Sequence, residues 1–160
     1  TNSSASICEH TMGASGGAFT AGSANQVLCD LVGSTVRNNA DPSRVSLVMH
    51  GREWTDLTQL NASGTGQPLT QPIRMFDKMP WYVSNQININ QTTASSVTGA
   101  STMYAGSFDS IVLGLRQGAE LFVSRDALVS TDQVVFYLSL RADIAFVAPQ
   151  LLARLIYITT

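Results

Sequence analysis

Charged side chains are scarce in this 160-residue chain, where they make up 12% of the residues, against roughly a quarter in an average soluble domain. Lys78 is the only lysine and the net charge is −2. No basic run occurs, although binding of nucleic-acid phosphates calls for a basic stripe, so the sequence argues against sequence-specific nucleic-acid binding. Because the cores of protein interfaces are depleted in charge, this composition favours self-association.

Long apolar runs and cysteine clusters are also missing. No run approaches the roughly 18 apolar residues of a transmembrane helix, so we predict no membrane span. The first residues have neither the basic start nor the apolar core of an intact signal peptide. The spacing of Cys8 and Cys29 is typical of neither a metal knuckle nor a redox pair. We therefore expect two reduced thiols, and we predict no metal and no cofactor.

Hydrophobic residues make up 44% of the chain, which is enough for a folded domain rather than a disordered tail. Apolar periodicity predicts a helix over Ser23–Asn38 with Ser23 as its N-cap. A second, short amphipathic helix is predicted over residues 52–60, where Trp54 lies. The other predictions for this part of the chain are strands over 45–49 and 79–89 and neutral loops over 61–72 and 91–102.

The last third of the chain holds three apolar stretches. We predict a strand over residues 110–115, a break at Gly118, and an antiparallel return strand over residues 120–123. Residues 133–147 alternate over a length that can reach roughly 50 Å, whereas ordinary strands have about five or six residues. Its apolar side holds Val134, Phe136, Leu138, Leu140, Ala142, Ile144 and Phe146, and its other side holds Tyr137, Ser139, Arg141 and Asp143. We expect the apolar side to be buried, so that Phe136→Asp or Leu140→Asp prevents folding.

Catalytic signals are sparse. Residues 13–17 match G-x-S-x-G, a motif that works only on a sharp turn between a buried strand and a helix. Asp41 and His50 can complete the order Ser, Asp, His, so a serine hydrolase using Ser15 stays open as an alternative of a different class. The spacings of Cys8, His10, Cys29 and His50 fit no compact zinc pattern. We interpret Asp109 and Asp132 as turn residues and Asp143 as a same-face partner of Arg141. Three Asn-x-Ser/Thr sequons leave a secreted surface domain open as a further alternative.

Several local patterns follow one another in an informative order. VSLVMHGREWTDLTQL is an apolar strand leading into a helix with periodic leucines, and GTGQPLTQPIRMFDKMPWYVSNQI is a Gly/Pro-marked loop leading into a strand. MYAGSFDSIVLGLRQG places Gly-x-Phe before a strand, and ELFVSRDALVSTDQVVFYLSLRADIAFVAPQLLARL forms a closing hairpin. Over residues 23–158 this order resembles the major capsid protein of tailed bacteriophages, which has the Hong Kong phage capsid fold.

The resemblance implies an α+β phage major-capsid fold, with an axial domain at the capsomer centre and part of a peripheral domain. On this basis residues 1–22 belong to the peripheral domain, residues 23–115 form the axial domain, and residues 116–160 form peripheral-domain strands. The chain starts with Thr1 and has no room for that family's spine helix and extended loop. We therefore expect a C-terminal fragment of a longer subunit.

The function implied by the resemblance is structural rather than enzymatic. It is that of a major capsid (head) subunit of a tailed phage or prophage, which self-assembles through hexamers and pentamers into an icosahedral shell around DNA. Assembly in the bacterial cytoplasm, a place in the virion, and scaffolding and portal partners follow from the same resemblance. An encapsulin-type nanocompartment shell protein is the alternative with the same fold. The residues expected to serve structure or assembly are Trp54, Phe108, Asp109, Arg116, Asp132, Phe136, Leu140, Arg141 and Asp143.

Overall fold

The computed structural model describes residues 6–60, 79–128, 131 and 133–159. The chain divides into two compact units, of which the first comprises Thr1–Ser110 with Ala148–Thr160 and the second Ile111–Val147. The loop predicted over residues 61–72 and the candidate residue Asp132 lie outside the described residues.

The first unit contains a mixed five-stranded sheet. Its strands are β1 (Cys8–Thr11), β2 (Ser46–Met49), β3 (Trp81–Val83), β4 (Ser101–Gly106) and β7 (Leu152–Ile158). They lie in the order β1-β7-β4-β2-β3. β1 is parallel to β7 and β3 is parallel to β2, whereas β4 is antiparallel to both β2 and β7. The last strand of the chain therefore lies inside the sheet and not at its edge.

Helix α1 (Ala24–Arg37) packs against β7, β4 and β1. Its buried positions include Leu28, Leu31, Val32 and Thr35, which the helical repeat places on one side. Ser23 is its N-cap, as the sequence predicts, but the Ser23 hydroxyl bonds to the Thr20 hydroxyl and not to a backbone N–H of the helix. The predicted helix is confirmed, and the core of the first unit forms where it meets the sheet.

Helix α2 (Gly51–Gln59) follows β2 after a single residue, His50. The His50 Nδ1 accepts a hydrogen bond of 3.0 Å from the backbone N–H of Arg52, so this imidazole caps the helix. Leu57 is buried and Trp54 is exposed. The second predicted helix is thus confirmed. Among the described residues, no helix has the combination of length and apolar character that crossing a membrane requires.

A buried ionic cluster joins α2 to the sheet. The Glu53 side chain is fully buried, and its Oε1 accepts hydrogen bonds from the Arg52 guanidinium at 3.0 Å and from the Ser101 hydroxyl. The same guanidinium donates to the carbonyl oxygens of Gly99 at 3.0 Å and Ile158 at 3.3 Å. Since Gly99 precedes β4 and Ile158 ends β7, one arginine links the helix to neighbouring ends of two paired strands.

We expect Arg52→Ala to lower the free energy of unfolding by about 3–5 kcal/mol, because it leaves the buried Glu53 carboxylate without its cation. Arg44→Ala is the matched control, since Arg44 pairs with Asp109 on the surface and exposed pairs contribute about 0–1 kcal/mol. Urea denaturation of the two variants measures the difference. Equal losses would show that the Glu53 cluster stabilises the fold no more than a surface ion pair does.

The second unit is a long antiparallel hairpin of strands β5 (Ile111–Leu128) and β6 (Gln133–Phe146). Their pairing runs from Ile111–Phe146 to Leu128–Gln133. The long strand predicted over residues 133–147 is confirmed.

The break predicted at Gly118 and the return strand over residues 120–123 are wrong, because β5 continues through both and pairs with β6. Over this stretch β5 has more residues than the part of β6 that it pairs with. Register shifts between Leu115 and Gln117 and between Gln117 and Glu120 accommodate them. Such bulges absorb an extra residue without reversing the strand.

Other parts of the predicted strand pattern also differ from the structure. The strand predicted over residues 79–89 is only Trp81–Val83 long, because its partner β2 ends at Met49, opposite Val83. The sequence does not predict strands β1 and β4. The loop predicted over residues 91–102 ends at Ala100, because β4 begins at Ser101. β1, within residues 1–22, and β7, within residues 116–160, both pair in the sheet of the first unit, and the division into axial and peripheral domains stays a prediction.

Gly106 ends β4 and lies close against the backbone of Leu151 and Leu152. A Cβ at this position would lie 2.9 Å from the Leu152 Cα and even closer to the Leu151 carbonyl oxygen. We expect Gly106→Ala to destabilise the first unit by about 1–3 kcal/mol, because backbone atoms cannot move aside as a side chain can. Gly33→Ala, in α1 with no atom within 4 Å of the added Cβ, should stabilise by about 0.5–1 kcal/mol. Thermal unfolding of both variants checks the opposite signs.

Candidate assembly surface

The hairpin has one side made almost entirely of apolar side chains. Each of its β5 members pairs with a residue of β6 from the predicted alternating set, as in Leu113–Ile144 and Leu121–Leu138. Since paired residues of antiparallel strands share a side, the two sets form one surface. This apolar hairpin face comprises Leu113, Leu115, Leu121, Val123, Val134, Phe136, Leu138, Leu140, Ile144 and Phe146.

The apolar hairpin face is exposed. Phe136 is 68% and Leu140 is 58% exposed, so the expectation that these side chains are buried inside the chain's own fold is wrong. Burial needs a second layer against the sheet, and within the described part of the second unit nothing covers this face. The expectation that Phe136→Asp or Leu140→Asp prevents folding falls with it, because each aspartate would replace a solvent-facing side chain.

The opposite side of the hairpin is mixed. The Phe122 and Tyr137 rings lie 6.3 Å apart between centroids, and Gln117 donates a hydrogen bond of 2.7 Å to Glu120. Arg141 and Asp143 share this side, as the alternation predicts. Asp143 accepts from the backbone N–H of Ile144, and no ion pair joins Asp143 to Arg141 in the described part of the hairpin.

The other candidate residues lie on separate elements. Trp54 is on α2, and Asp109 forms an exposed ion pair of 3.3 Å with Arg44. Phe108 is half-buried in a short 3-10 helix just before β5. Arg116 is exposed at a register shift of β5. The structure therefore brings only Phe136 and Leu140 together on the apolar hairpin face, and the assembly roles of all these candidates stay predictions.

Sequence analysis missed the β5 half of this surface. The alternation of β5 is interrupted between Leu115 and Glu120, where the register shifts twice. A strict period of two places Leu115 and Leu121 on the same side, but the intervening Gly118 suggested a turn. The feature that could have indicated a continuous strand is the frequency of leucine and valine both before and after the interruption.

The hydrolase candidates do not form a catalytic site. β1 ends at Thr11 and α1 begins only at Ala24, so Ser15 does not lie on a tight strand-to-helix turn. The Asp41 carboxylate accepts two hydrogen bonds from Ser43, which hold the pKa of Asp41 below its ordinary value. His50 is occupied as the cap of α2. Asp41 and His50 thus serve separate local structures, and among the described residues no hydrogen bond joins either of them to Ser15.

The metal-ligating residue types are likewise dispersed. Cys8 and Cys29 are both free thiols, and the Cys8 sulfur accepts a hydrogen bond from the Asn38 amide. Within the described ranges, no three residues of the types His, Cys, Asp and Glu come close enough to hold a metal ion.

An exposed apolar surface of this kind marks a site of interaction in soluble proteins. A two-stranded hairpin is only marginally stable by itself in water, so a covered face would also stabilise the second unit. The geometry therefore fits protein–protein contact better than chemistry on a small substrate.

The model of the phage capsid family matches residues 7–155 of the chain. This chain belongs to the phage capsid family. The match spans the described parts of both units, and it agrees with the family that the order of sequence patterns suggests.

Solved structures share the fold of this capsid-family chain. The capsid of an empty GTA particle matches with a TM-score of 0.70 at 16% identity, over 96% of this chain and 50% of that one. The capsid of Myoviridae phage XM1 matches with a TM-score of 0.65 at 13% identity, over 94% of this chain and 51% of that one. The holo-SrpI encapsulin complex from Synechococcus elongatus PCC 7942 matches with a TM-score of 0.53 at 13% identity, over 94% of this chain and 53% of that one.

These matches confirm the α+β phage-capsid fold predicted from the sequence. The chain spans about half the length of the solved capsid chains that it matches. No curated protein sequence matches it.

Phe136→Asp tests whether the apolar hairpin face mediates association. Burying one phenylalanine contributes about 1.5–3 kcal/mol, so we expect this variant to weaken self-association by about tenfold or more, while the first unit melts as in the wild type. Ser139→Asp adds the same charge on the opposite side of β6 and serves as the control. Sedimentation velocity measures association, and equal effects of the two variants would contradict a special role for the apolar face.

Proposed function

We propose that this capsid-family chain is the shell-forming part of a major capsid subunit of a tailed phage or prophage. The observation that carries the proposal is the exposed apolar hairpin face, which occurs in a chain of that family and lacks a cover within the described part of its own unit. Its function is then to contact other copies, and the closed shell arises because each copy repeats the same contacts by symmetry.

We assign the first unit to the axial domain at the capsomer centre and the hairpin to the peripheral domain. In this assignment β1 and β7 move to the axial domain, because both pair with strands of its sheet. The pairing supports this division, since the chain leaves the first unit after Ser110 and rejoins it at Ala148. The hairpin is then an insertion into the axial domain.

The low charge of the chain supports repeated contact between copies. Burying an unpaired charge is costly, so a surface with few charged groups loses little when it is covered. The absence of a basic run in the sequence fits a shell that encloses DNA without reading its sequence. A structural role without catalysis, a place in the virion, assembly in the host cytoplasm, and scaffolding and portal partners complete the proposal.

An encapsulin-type compartment is the second candidate, and the match to the encapsulin complex favours it. The viral shell has stronger support, because the matching family model is that of phage capsids and the capsid structures have higher TM-scores. The contents of particles isolated from the native source distinguish the two functions. Nuclease-protected DNA supports a viral shell, whereas an enclosed protein cargo without DNA supports a compartment.

Self-association of the purified 160-residue chain is the direct test. We expect its sedimentation coefficient to rise with concentration, and we expect electron microscopy to show rings or curved sheets. Raising the salt concentration should not dissolve these assemblies, because apolar contacts are not screened as exposed ion pairs are. A chain that stays monomeric at every concentration would contradict the proposal.

A further inference from the structure

A small cleft lies between the segment that precedes α1 and the second half of α2. It is lined by Ala18, Phe19, Asp56, Gln59 and Leu60, and its volume is about 240 Å³. Asp56, Gln59 and Leu60 face it together because residues three and four apart share one side of a helix. Sites for small organic ligands usually have volumes of about 300–1,000 Å³, so this cleft fits a single side chain better.

The cleft has two polar side chains, the Asp56 carboxylate, which accepts hydrogen bonds, and the Gln59 amide, which can accept or donate them. Asp56 forms no ion pair and Gln59 no hydrogen bond with any other described residue. Burial raises the pKa of Asp56, and the nearby Glu53 carboxylate raises it further. The Arg52 guanidinium opposes this effect, but its donors already bond to Glu53, Gly99 and Ile158. Among the described residues, no cation forms an ion pair with the Asp56 carboxylate.

We propose that this cleft is a guanidinium site that receives an arginine side chain from a second copy of the chain. The inference rests on the proposed self-assembly, for which it names one specific contact. A planar guanidinium offers several N–H donors in a fixed geometry, which suit the Asp56 carboxylate together with the Gln59 amide oxygen. Apolar contacts with Phe19 and Leu60 accommodate its aliphatic stem.

The composition of the chain indicates arginine as the donor. Lys78 is the only lysine, so arginine supplies nearly every cation. Among the arginines whose side chains the structure describes, three are engaged in ion pairs and three are exposed without one. The engaged residues are Arg44, Arg52 and Arg154, and the exposed candidates for the second copy's contact are Arg37, Arg116 and Arg141.

Titration with methylguanidinium tests the chemistry of the cleft without requiring assembly. The ¹³Cγ shift of Asp56, followed by NMR against pH, gives its titration midpoint. A bound cation favours the ionised carboxylate, so we expect saturating methylguanidinium to lower this midpoint by about one pH unit or more. The exposed Asp30 of α1 is the internal control and should not respond. Equal responses of Asp30 and Asp56 would overturn the site.

Charge exchange tests the partner. We expect Asp56→Arg to weaken self-association by about tenfold or more, because it puts two guanidinium groups in one contact. Combining it with Arg37→Asp, Arg116→Asp or Arg141→Asp should restore association in one of the three pairs. Failure of all three, with Asp56→Arg still folded by thermal melting, would overturn the proposal.

Asp56→Asn provides a second measurement if Asp56→Arg does not fold. It keeps the size of the side chain and removes the charge, so it should weaken association by about tenfold, whereas Asp30→Asn should not. Unchanged association of Asp56→Asn overturns the proposed contact. Failure of the wild type to associate at all contradicts the proposed function instead, and the methylguanidinium titration is unaffected by that outcome.

Discussion

The antiparallel pairing of β4 with β7 is the interaction on which the first unit depends. It runs from Ser101–Ile158 to Gly106–Leu152, and it joins segments separated by the whole hairpin. β1 reaches the sheet only through β7, and β3 reaches it only through β2, which itself pairs with β4. Loop closure becomes only slowly costlier with length, so a long excursion of the chain between the two strands is compatible with a stable pair.

Both ends of this pair are held by contacts that tolerate little change. At one end, the Arg52 guanidinium bonds to the carbonyl oxygens of Gly99 and Ile158. At the other end, only a glycine fits at position 106, against the backbone of Leu151 and Leu152. Met103, Ala105 and Leu155 are buried between them. The first unit is therefore fixed from within, while the hairpin presents its apolar side to solvent.

The sequence predicts those elements whose two sides meet different environments. The helices α1 and α2 and the strand β6 show clear periodicity, and all three were found where the periodicity indicates. β4 is buried at nearly every position, so its sequence does not alternate, and β1 has polar residues in a strand of only four residues. Neither gives a periodic signal, and both form because β7 lies between them.

Alternation also does not tell what lies against an apolar side. For Phe136 and Leu140 it correctly separates the two sides of the strand, but whether the cover comes from the same chain or from another is a tertiary question. The cleft at Asp56 could not be predicted for a related reason, because Phe19 and Gln59 lie far apart in the sequence and come together only in the folded first unit. The phage-capsid resemblance was informative because it rests on the order of many elements and not on any single one.

The hairpin leaves and rejoins the sheet at neighbouring positions, where the backbone N–H of Ser107 bonds to the carbonyl of Leu151 at 3.2 Å. Its length is consequently independent of the sheet that carries it. Each residue added to both strands extends its reach by about 3.4 Å, with no change at Gly106 or in the strands beside it. Evolution can therefore adjust the length of the hairpin in small steps, and with it the distance between the partners that it contacts, without changing the sheet from which it starts.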